Sequence, residues 1–295
     1  MIVLMGAGGN TGKVAAEALL ARGEKVRVIG RDAGRLAALK ARGAEVAVGD
    51  AADAAFLERA FVGAGAAYTL IPPAIGLPDF PAYQDRIGEA TTAALRRAGV
   101  KRVVFLSSVG ADLPSGTGPI TGLHHQEERL RGLGVAVTSL RPAYFMENLH
   151  ASLPVIRHQG VNGSALAPTL KMPMIATRDI GAAAAEALVA RDGDGFQVRY
   201  LLGARDYTMP EVTGILGAAI GKPGLPYVQF PYDAFAGALE QAGLGRSLAG
   251  LYVEMSKAFN EGRITVPGGR TAANTTPTSF EAFVKELAAA YAAAG

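Results

Sequence analysis

The feature that most constrains the fold is an apolar run at the start of the chain that leads directly into regularly spaced glycines. Residues 2–5 (Ile-Val-Leu-Met) contain no polar side chain, which is typical of a parallel strand covered on both faces. Gly6, Gly9 and Gly12 follow, and apolar residues then recur at helical spacing up to Gly23, a residue type that often ends helices. The pattern predicts a strand, a glycine turn and a helix, in that order.

Each glycine of this G-x-x-G-x-x-G pattern has a use in a turn that binds a dinucleotide. Gly6 permits a sharp turn, Gly9 leaves room for a diphosphate, and Gly12 lets the helix pack closely on the strand. The free N–H groups and the positive dipole end of the helix favour an anion, which the side chains of Asn10 and Thr11 could touch. The alternative is an ordinary βα turn in a chain with 38 glycines. The strand–turn–helix context favours dinucleotide binding.

The composition indicates a folded chain with few classes of partner. The 295 residues are 49% apolar, enough for one large domain or one and a half. The 29 basic and 26 acidic residues give a net charge of +3 without a basic stripe, so neither nucleic acid nor a membrane surface is expected as a partner. The absence of cysteine excludes disulfides, thiolate nucleophiles and cysteine-bound metal centres.

Two further absences bear on localisation. The chain enters its first strand without a charged and then apolar leader, and no apolar run is long enough to span a membrane. We therefore expect a soluble, cytoplasmic protein.

Strand and helix signals alternate between residues 25 and 202. Strands are predicted at 25–29, 45–48, 66–71, 102–106, 136–140 and 197–202. Helices are predicted at 32–42, 53–61, 80–98, 124–132 and 178–190. This alternation predicts an α/β fold with a Rossmann-type, doubly wound parallel sheet, in which ligands bind at the carboxyl ends of the strands.

The pattern changes after residue 148. Pro154, Pro168 and Pro173 are expected to interrupt helices. Further on, helices are predicted at 208–221, 232–242, 246–261 and 278–293, and a strand at 227–230. Residues 1–150, with 176–203 returning to them, are predicted to form the NAD(P)-binding domain, and 151–175 with 204–295 a smaller, mostly helical substrate lobe.

Charged residues after the second and third strands bear on the choice of cofactor. Arg31 favours NADP(H) over NAD(H), because a guanidinium group matches the 2′-phosphate of NADP, although a solvated loop charge is the alternative. Asp32 and Asp53 are placed to cap the helices that follow them. Asp50 could reach the adenine amino group or stabilise its turn.

Residues after the later strands are expected to line the nicotinamide end of the cofactor. After the fourth strand come Ile71 and Pro72, a stiff pair with few hydrogen-bond donors. Ser107 and Ser108 supply two hydroxyls after the fifth strand, and Pro142 and Tyr144 follow the sixth. A plain loop is the alternative for the proline pair, and turn capping is the alternative for the serines.

Four motifs, in this order, resemble the NmrA-like family of atypical short-chain dehydrogenases/reductases. They are the glycine turn, Arg31-Asp32, residues 107–111 (Ser-Ser-Val-Gly-Ala) and residues 140–148 (Leu-Arg-Pro-Ala-Tyr-Phe-Met-Glu-Asn). The similarity runs from Met1 to about Leu202 and continues more loosely in 210–262. The resemblance implies NAD(P)(H) binding, usually with an NADP preference, in proteins that range from quinone or azo reductases to redox sensors without turnover.

One catalytic motif of the wider superfamily is missing. Ordinary short-chain dehydrogenases use a Tyr-x-x-x-Lys pair, in which the lysine lowers the pKa of the tyrosine. None of the nine tyrosines has a lysine four residues later, and no lysine lies between Lys101 and Lys171. Standard alcohol and ketone chemistry is therefore not expected, and a sugar-nucleotide epimerase would need the same pair.

Two histidines occupy the corresponding region. His124 or His125 is the candidate proton donor, because imidazole titrates near neutral pH, where a reduced quinone must take up a proton. The alternative is a local hydrogen bond at a helix start. His124 and Glu128 lie four residues apart but have no third ligand in view, so no metal site is predicted.

Two functions stay open at this point. The favoured one is an enzyme that transfers hydride from NADPH to a quinone-like or other electron-poor small molecule. The alternative is a non-catalytic NADP(H)-sensing regulator that acts through a protein partner, and a homodimer is also left open. Tyr144, Phe145 and Asn148 are the predicted substrate walls, although core packing explains the two aromatic residues equally well.

Overall fold

The structure, a computed structural model, describes residues 1–190 and 193–293. Its strands are β1 (Ile2–Met5), β2 (Val26–Gly30), β3 (Glu45–Val48), β4 (Ala66–Thr69), β5 (Arg102–Leu106), β6 (Ala136–Pro142), β7 (Tyr144–Phe145), β8 (Asn162–Ser164), β9 (Met172–Ile175), β10 (Phe196–Leu201), β11 (Asp206–Tyr207) and β12 (Tyr227–Gln229). Its helices are α1 (Asn10–Ala21), α2 (Ala33–Ala41), α3 (Ala54–Phe61), α4 (Phe80–Ala98), α5 (Ile120–Arg131), α6 (Leu153–Gln159), α7 (Thr177–Val189), α8 (Met209–Ala219), α9 (Tyr232–Gln241), α10 (Arg246–Asn260) and α11 (Phe280–Ala293), with a 3₁₀ helix at Met146–Ser152.

The core of the fold is a seven-stranded sheet in the order β3-β2-β1-β4-β5-β6-β10. All its strand pairs are parallel. The order reverses direction between β1 and β4, and the crevice outside the carboxyl ends at such a point is where Rossmann-type sheets bind ligands. The predicted fold class is therefore confirmed.

The apolar strands are buried because helices cover both faces of the sheet. Ile2 and Leu4 of β1 belong to the apolar cluster on the side of α1 and α7. Val3 and Met5 point to the opposite side, into the cluster beneath α3 and α4. This two-sided burial explains why β1 shows no polar alternation in the sequence.

Most predicted elements are confirmed, with shifts of one or two residues at their ends. The helix predicted at 124–132 begins at Ile120, so both His124 and His125 lie inside α5 and not at its start. The expectation that three prolines interrupt helices was wrong for two of them. Pro154 lies in the first turn of α6, where no backbone N–H is needed, and Pro173 lies in β9.

Short strands tie the remaining segments together. Antiparallel pairing of β11 with β9 and parallel pairing of β12 with β8 join the segment 151–175 to the C-terminal part of the chain. Parallel pairing of β10 with β6 adds Phe196–Leu201 to the main sheet. These pairings are compatible with the two lobes predicted from the sequence. The division into two lobes stays a prediction. No helix in the described part of the chain combines the length and apolar character needed to cross a membrane.

Candidate cofactor and substrate site

The fold brings the predicted site residues to one edge of the sheet. They follow the strands in this order: Gly6 after β1, Arg31 after β2, Asp50 after β3, Ile71 and Pro72 after β4, Ser107 and Ser108 after β5, and Pro142 and Tyr144 at the end of β6 and in β7. Because all these strands are parallel, their carboxyl ends form a continuous rim across the switch point between β1 and β4.

The glycine turn has the geometry expected of it. Gly6 has φ +65°, a backbone conformation that favours glycine, and its carbonyl oxygen accepts a 2.9 Å hydrogen bond from the N–H of Gly9. A Cβ on Gly12 would lie 2.6 Å from the carbonyl oxygen of Gly6, so only glycine allows this approach of helix to turn. Gly9 is exposed, and its Cβ would meet only that same oxygen, at 3.3 Å. The conformational roles predicted for Gly6 and Gly12 are confirmed, and the room for a diphosphate at Gly9 stays a prediction.

The N-terminus of α1 is free to bind an anion. Gly9 is its N-cap, no side chain caps it, and its first turn contains no acidic residue. Within residues 1–190 and 193–293, the N–H groups of Asn10, Thr11 and Gly12 donate to no protein acceptor. By contrast, α2, α3 and α4 each begin after an aspartate whose carboxylate accepts a hydrogen bond from the first turn. An open glycine cradle with bare amides fits the diphosphate of a dinucleotide.

The side chain of Thr11 points into the core. Its Oγ1 accepts a 2.9 Å hydrogen bond from the hydroxyl of Tyr68, a fully buried residue of β4. Burial raises the pKa of Tyr68, so this phenol stays protonated and donates. Thr11 therefore presents its main-chain N–H to the turn, whereas the side chain of Asn10 is exposed.

Two arginines stand beside the glycine turn. Arg31 is exposed and makes no ion pair with any described residue. Arg35, which the sequence reasoning missed, is also exposed, and its Cβ lies 3.2 Å from where a Cβ on Gly8 would be. Its position three residues after Asp32, in the first turn of α2, is the signal that could have found it. Asp32 caps α2 through a 2.7 Å bond from the N–H of Gly34, as predicted.

The side of the rim predicted to face the adenosine gathers residues from three strands and a helix. The hydroxyl of Tyr83 on α4 donates to the carbonyl oxygen of Pro72 at 3.1 Å. Burial raises the pKa of Tyr83, and the charges of Arg31 and Asp50 act on it in opposite directions, so both groups lie near this phenol. Asp50 also accepts a 2.9 Å bond from the N–H of Ala52, which is the turn-stabilising role considered for it.

A buried ion pair lies behind the part of the rim that is predicted to face the nicotinamide. Glu127 of α5 and Arg141 of β6 have side chains only 1% and 7% exposed, and Arg141 Nη2 lies 2.5 Å from Glu127 Oε2. Glu127 Oε1 also accepts hydrogen bonds from the hydroxyls of Ser107 at 2.5 Å and Ser139 at 2.7 Å. Burial opposes the charge on Arg141, but the bonds and attraction to Glu127 outweigh it and raise its pKa. The Ser107 hydroxyl is thus committed to Glu127 and does not face the cleft.

The predicted substrate walls differ in their surroundings. Tyr144 and Phe145 are half-buried, and Phe145 packs against the same apolar cluster as α1. Burial raises the pKa of Tyr144, the hydroxyls of Tyr252 and Tyr227 raise it further, and a hydrogen bond with Asn148 acts in the opposite direction. Asn148 itself is exposed. The structure therefore brings Tyr144 and Asn148 together beside a helix, α10, that the sequence did not connect with them.

The two histidines have different positions on α5. His124 is half-buried, and its Nδ1 lies 2.9 Å from the carbonyl oxygen of Ala111 in the loop after β5. His125 is exposed on the outer surface, where its Nδ1 lies 3.5 Å from Asp85 of α4. If His124 donates its Nδ1–H to Ala111, its Nε2 carries a proton only in the imidazolium form.

The comparisons with known proteins agree with this geometry. A family model described as the NmrA-like family matches residues 1–284. The chain belongs to the NmrA-like family. The resemblance stated from the motifs is thereby confirmed, and the match extends well beyond the region in which the motifs lie.

Individual relatives of this NmrA-like protein are similar over most or all of their length. An NAD(P)H azoreductase from Xenophilus azovorans is 30% identical over 100% of both chains. Quinone oxidoreductase 2 from Escherichia coli strain K12 is 29% identical over 89% of both chains.

Solved structures share the fold. An NADPH-dependent quinone oxidoreductase from Escherichia coli, complexed with NADPH, has a TM-score of 0.80 at 25% identity, over 97% of this chain and 99% of that one. Citrobacter sp. triphenylmethane reductase complexed with NADP(H) has a TM-score of 0.79 at 20% identity, over 98% and 100% of the two chains.

Proposed function

We propose that this NmrA-like protein is an NADPH-dependent reductase that transfers hydride to a quinone, an azo compound or another electron-poor small molecule. The observation that carries the proposal is the bare N-terminus of α1, which opens over a glycine cradle beside two exposed guanidinium groups. The azoreductase relative uses NAD(P)H, and the solved quinone oxidoreductase holds NADPH. Their names supply the acceptor classes.

Each part of the rim has a task in this function. The amides of Asn10, Thr11 and Gly12 bind the diphosphate, and Arg31 with Arg35 binds the 2′-phosphate. Bound NADPH supplies the hydride, so the protein mainly has to orient the two reactants and exclude water. The missing Tyr-x-x-x-Lys pair fits acceptors that are already electron-poor. The relatives named above are reductases, and nothing in them supports the alternative of a non-catalytic sensor.

Turnover tests the proposal directly. The purified chain should oxidise NADPH, seen as loss of its near-ultraviolet absorbance, when a simple quinone or an azo dye is added, and should act poorly on aldehydes and ketones. Binding of NADPH without oxidation across the whole panel would contradict the assignment as a reductase.

The preference for NADPH should depend on Arg31. Changing Arg31→Ala should raise the dissociation constant of NADPH by roughly 10- to 150-fold, because a charge-assisted contact with the 2′-phosphate contributes about 1.5–3 kcal/mol. The constant for NADH should change less than about threefold. Arg22→Ala is the matched control, since Arg22 is exposed at the opposite end of α1. Equal losses for both nucleotides would show that Arg31 does not read the phosphate.

The histidine hypothesis now separates into two expectations. Changing His124→Gln should lower kcat about tenfold, because His124 contacts the loop that follows β5 and is the better placed proton donor. Changing His125→Gln should leave the rate unchanged, because that ring faces Asp85 and solvent. Steady-state rates with NADPH and a quinone decide this, and unchanged turnover in both variants would remove both histidines from the chemistry.

A further inference from the structure

Helix α10 packs against the loops that follow β4 and β5. At its start, a Cβ on Gly245 would lie 2.5 Å from the carbonyl oxygen of Leu77, in the loop after β4. Nearly two turns later, a Cβ on Gly118, in the loop after β5, would overlap the carbonyl oxygen of Leu251. The helix therefore touches both loops through backbone atoms. Such contacts hold it close to the rim where the nicotinamide end of the cofactor is expected.

One side chain of α10 is not explained by packing alone. Tyr252 lies four residues after Leu248, which is buried in the same cluster as Met5 at the end of β1. Residues at this spacing share one face of a helix, so Tyr252 belongs to the face directed at the sheet. Its ring is partly buried in that cluster, and its hydroxyl reaches the surroundings of Tyr144.

The hydroxyl of Tyr252 has no partner among residues 1–190 and 193–293, nor is it among the buried polar atoms that are sealed from solvent. Seven other buried or half-buried tyrosines do have a partner for the hydroxyl: Tyr68, Tyr83, Tyr144, Tyr200, Tyr207, Tyr227 and Tyr232. A buried phenol usually satisfies its O–H group. An unpaired hydroxyl that is not sealed from solvent is therefore available to a ligand.

We propose that the Tyr252 hydroxyl donates a hydrogen bond to the electron-accepting atom of the bound acceptor, a quinone carbonyl oxygen or an azo nitrogen. This inference rests on the proposed reductase function. The Tyr144 hydroxyl lies near that of Tyr252 and is hydrogen-bonded to Asn148, so this proposal has the acceptor between the end of β6 and α10.

The chemistry requires a donor at this position. When hydride is transferred to the acceptor, negative charge develops on the oxygen or nitrogen that receives the electron pair. Burial raises the pKa of Tyr252, so this phenol keeps its own proton and stabilises the charge as a hydrogen-bond donor. The proton that completes the reduction is supplied by water or by His124.

The test compares Tyr252→Phe with the wild type and with Tyr291→Phe. The control removes a hydroxyl from the C-terminal helix, where the ring packs on Arg157. With NADPH and 2-methyl-1,4-naphthoquinone, Tyr252→Phe should lower kcat/KM on the order of 10²-fold. The dissociation constant of NADPH should stay within about twofold, since the hydroxyl contacts the acceptor and not the diphosphate.

A binding measurement separates this role from general damage. The same quinone is titrated calorimetrically into the protein loaded with NADP⁺, which cannot reduce it. The dissociation constant of the quinone should rise about fivefold in Tyr252→Phe and should not change in Tyr291→Phe. If the wild type turns over and Tyr252→Phe matches it within about threefold, the inference fails and the reductase function stands. If the wild type fails to oxidise NADPH with every acceptor that is added, both proposals fail.

Discussion

The substitution Glu127→Ala should lower the free energy of unfolding by about 3–5 kcal/mol relative to the wild type. The substitution removes the buried carboxylate closest to Arg141 and leaves it only Asp112, at 3.5 Å, and the hydroxyl of Tyr200. The hydroxyls of Ser107 and Ser139 also lose the acceptor they share. The guanidinium group of Arg141 loses its hydration when the protein folds, so the cost of burying it has to be offset by the hydrogen bonds and ion pairs that remain. Urea or thermal unfolding, followed by circular dichroism, measures the loss.

The neighbouring residue supplies the control. Glu128 lies on the same helix but is exposed, and its ion pair with Arg131 spans 3.3 Å in solvent. Glu128→Ala should change the free energy of unfolding by less than about 0.5 kcal/mol. In a double-mutant cycle, Glu127→Gln and Arg141→Met should couple by at least about 1 kcal/mol, because each removes the same contact. Additive effects, or an unchanged midpoint for Glu127→Ala, would contradict this account of the pair.

The variant Gly12→Ala should both destabilise the fold and weaken cofactor binding. Its Cβ would meet backbone atoms, the carbonyl oxygen of Gly6 at 2.6 Å and the Cα of Ala7 at 3.0 Å, so the turn itself has to move. We expect a loss of about 1–3 kcal/mol in the free energy of unfolding. The dissociation constant of NADPH should rise at least tenfold, because the bare amides of α1 move with the turn. Unfolding and calorimetric titration measure the two effects separately.

Gly214→Ala is the matched control for this substitution. Gly214 is exposed in α8, and an added Cβ would meet no heavy atom within 4 Å. Alanine is the better helix former, so this variant should be more stable by roughly 0.5–1 kcal/mol and should bind NADPH normally. If Gly12→Ala behaved like Gly214→Ala, the close contact between α1 and the turn would not matter.

Local signals were sufficient to predict the sheet and the outline of the site. The strands of the main sheet, the glycine turn and the caps at Asp32 and Asp53 depend on residues close together in the chain, and the structure agrees with each of them. Very short strands such as β7 and β11 were missed, because two residues carry no periodicity and form only through their pairing with β9.

Long-range pairing explains what was missed at the site. Nothing in the sequence distinguishes Glu127 from Glu128 by type, and the carboxylate of Glu127 is buried only because β6 brings Arg141 to it. One local signal existed. Glu127 lies four residues after Leu123 and three before Leu130, and therefore on the apolar face of α5. Tyr252 could not have been found this way, because its position depends on how α10 crosses two distant loops.

The position of α10 also bears on the sequence in which the two reactants associate. The adenosine side, with Arg31 and Arg35, is exposed, whereas the opposite end lies beneath the helix. An acceptor held between Tyr144 and Tyr252 would sit over that end and block later entry of the nucleotide. With the proposed acceptor position, we expect a compulsory-order mechanism in which the nucleotide enters first and leaves last.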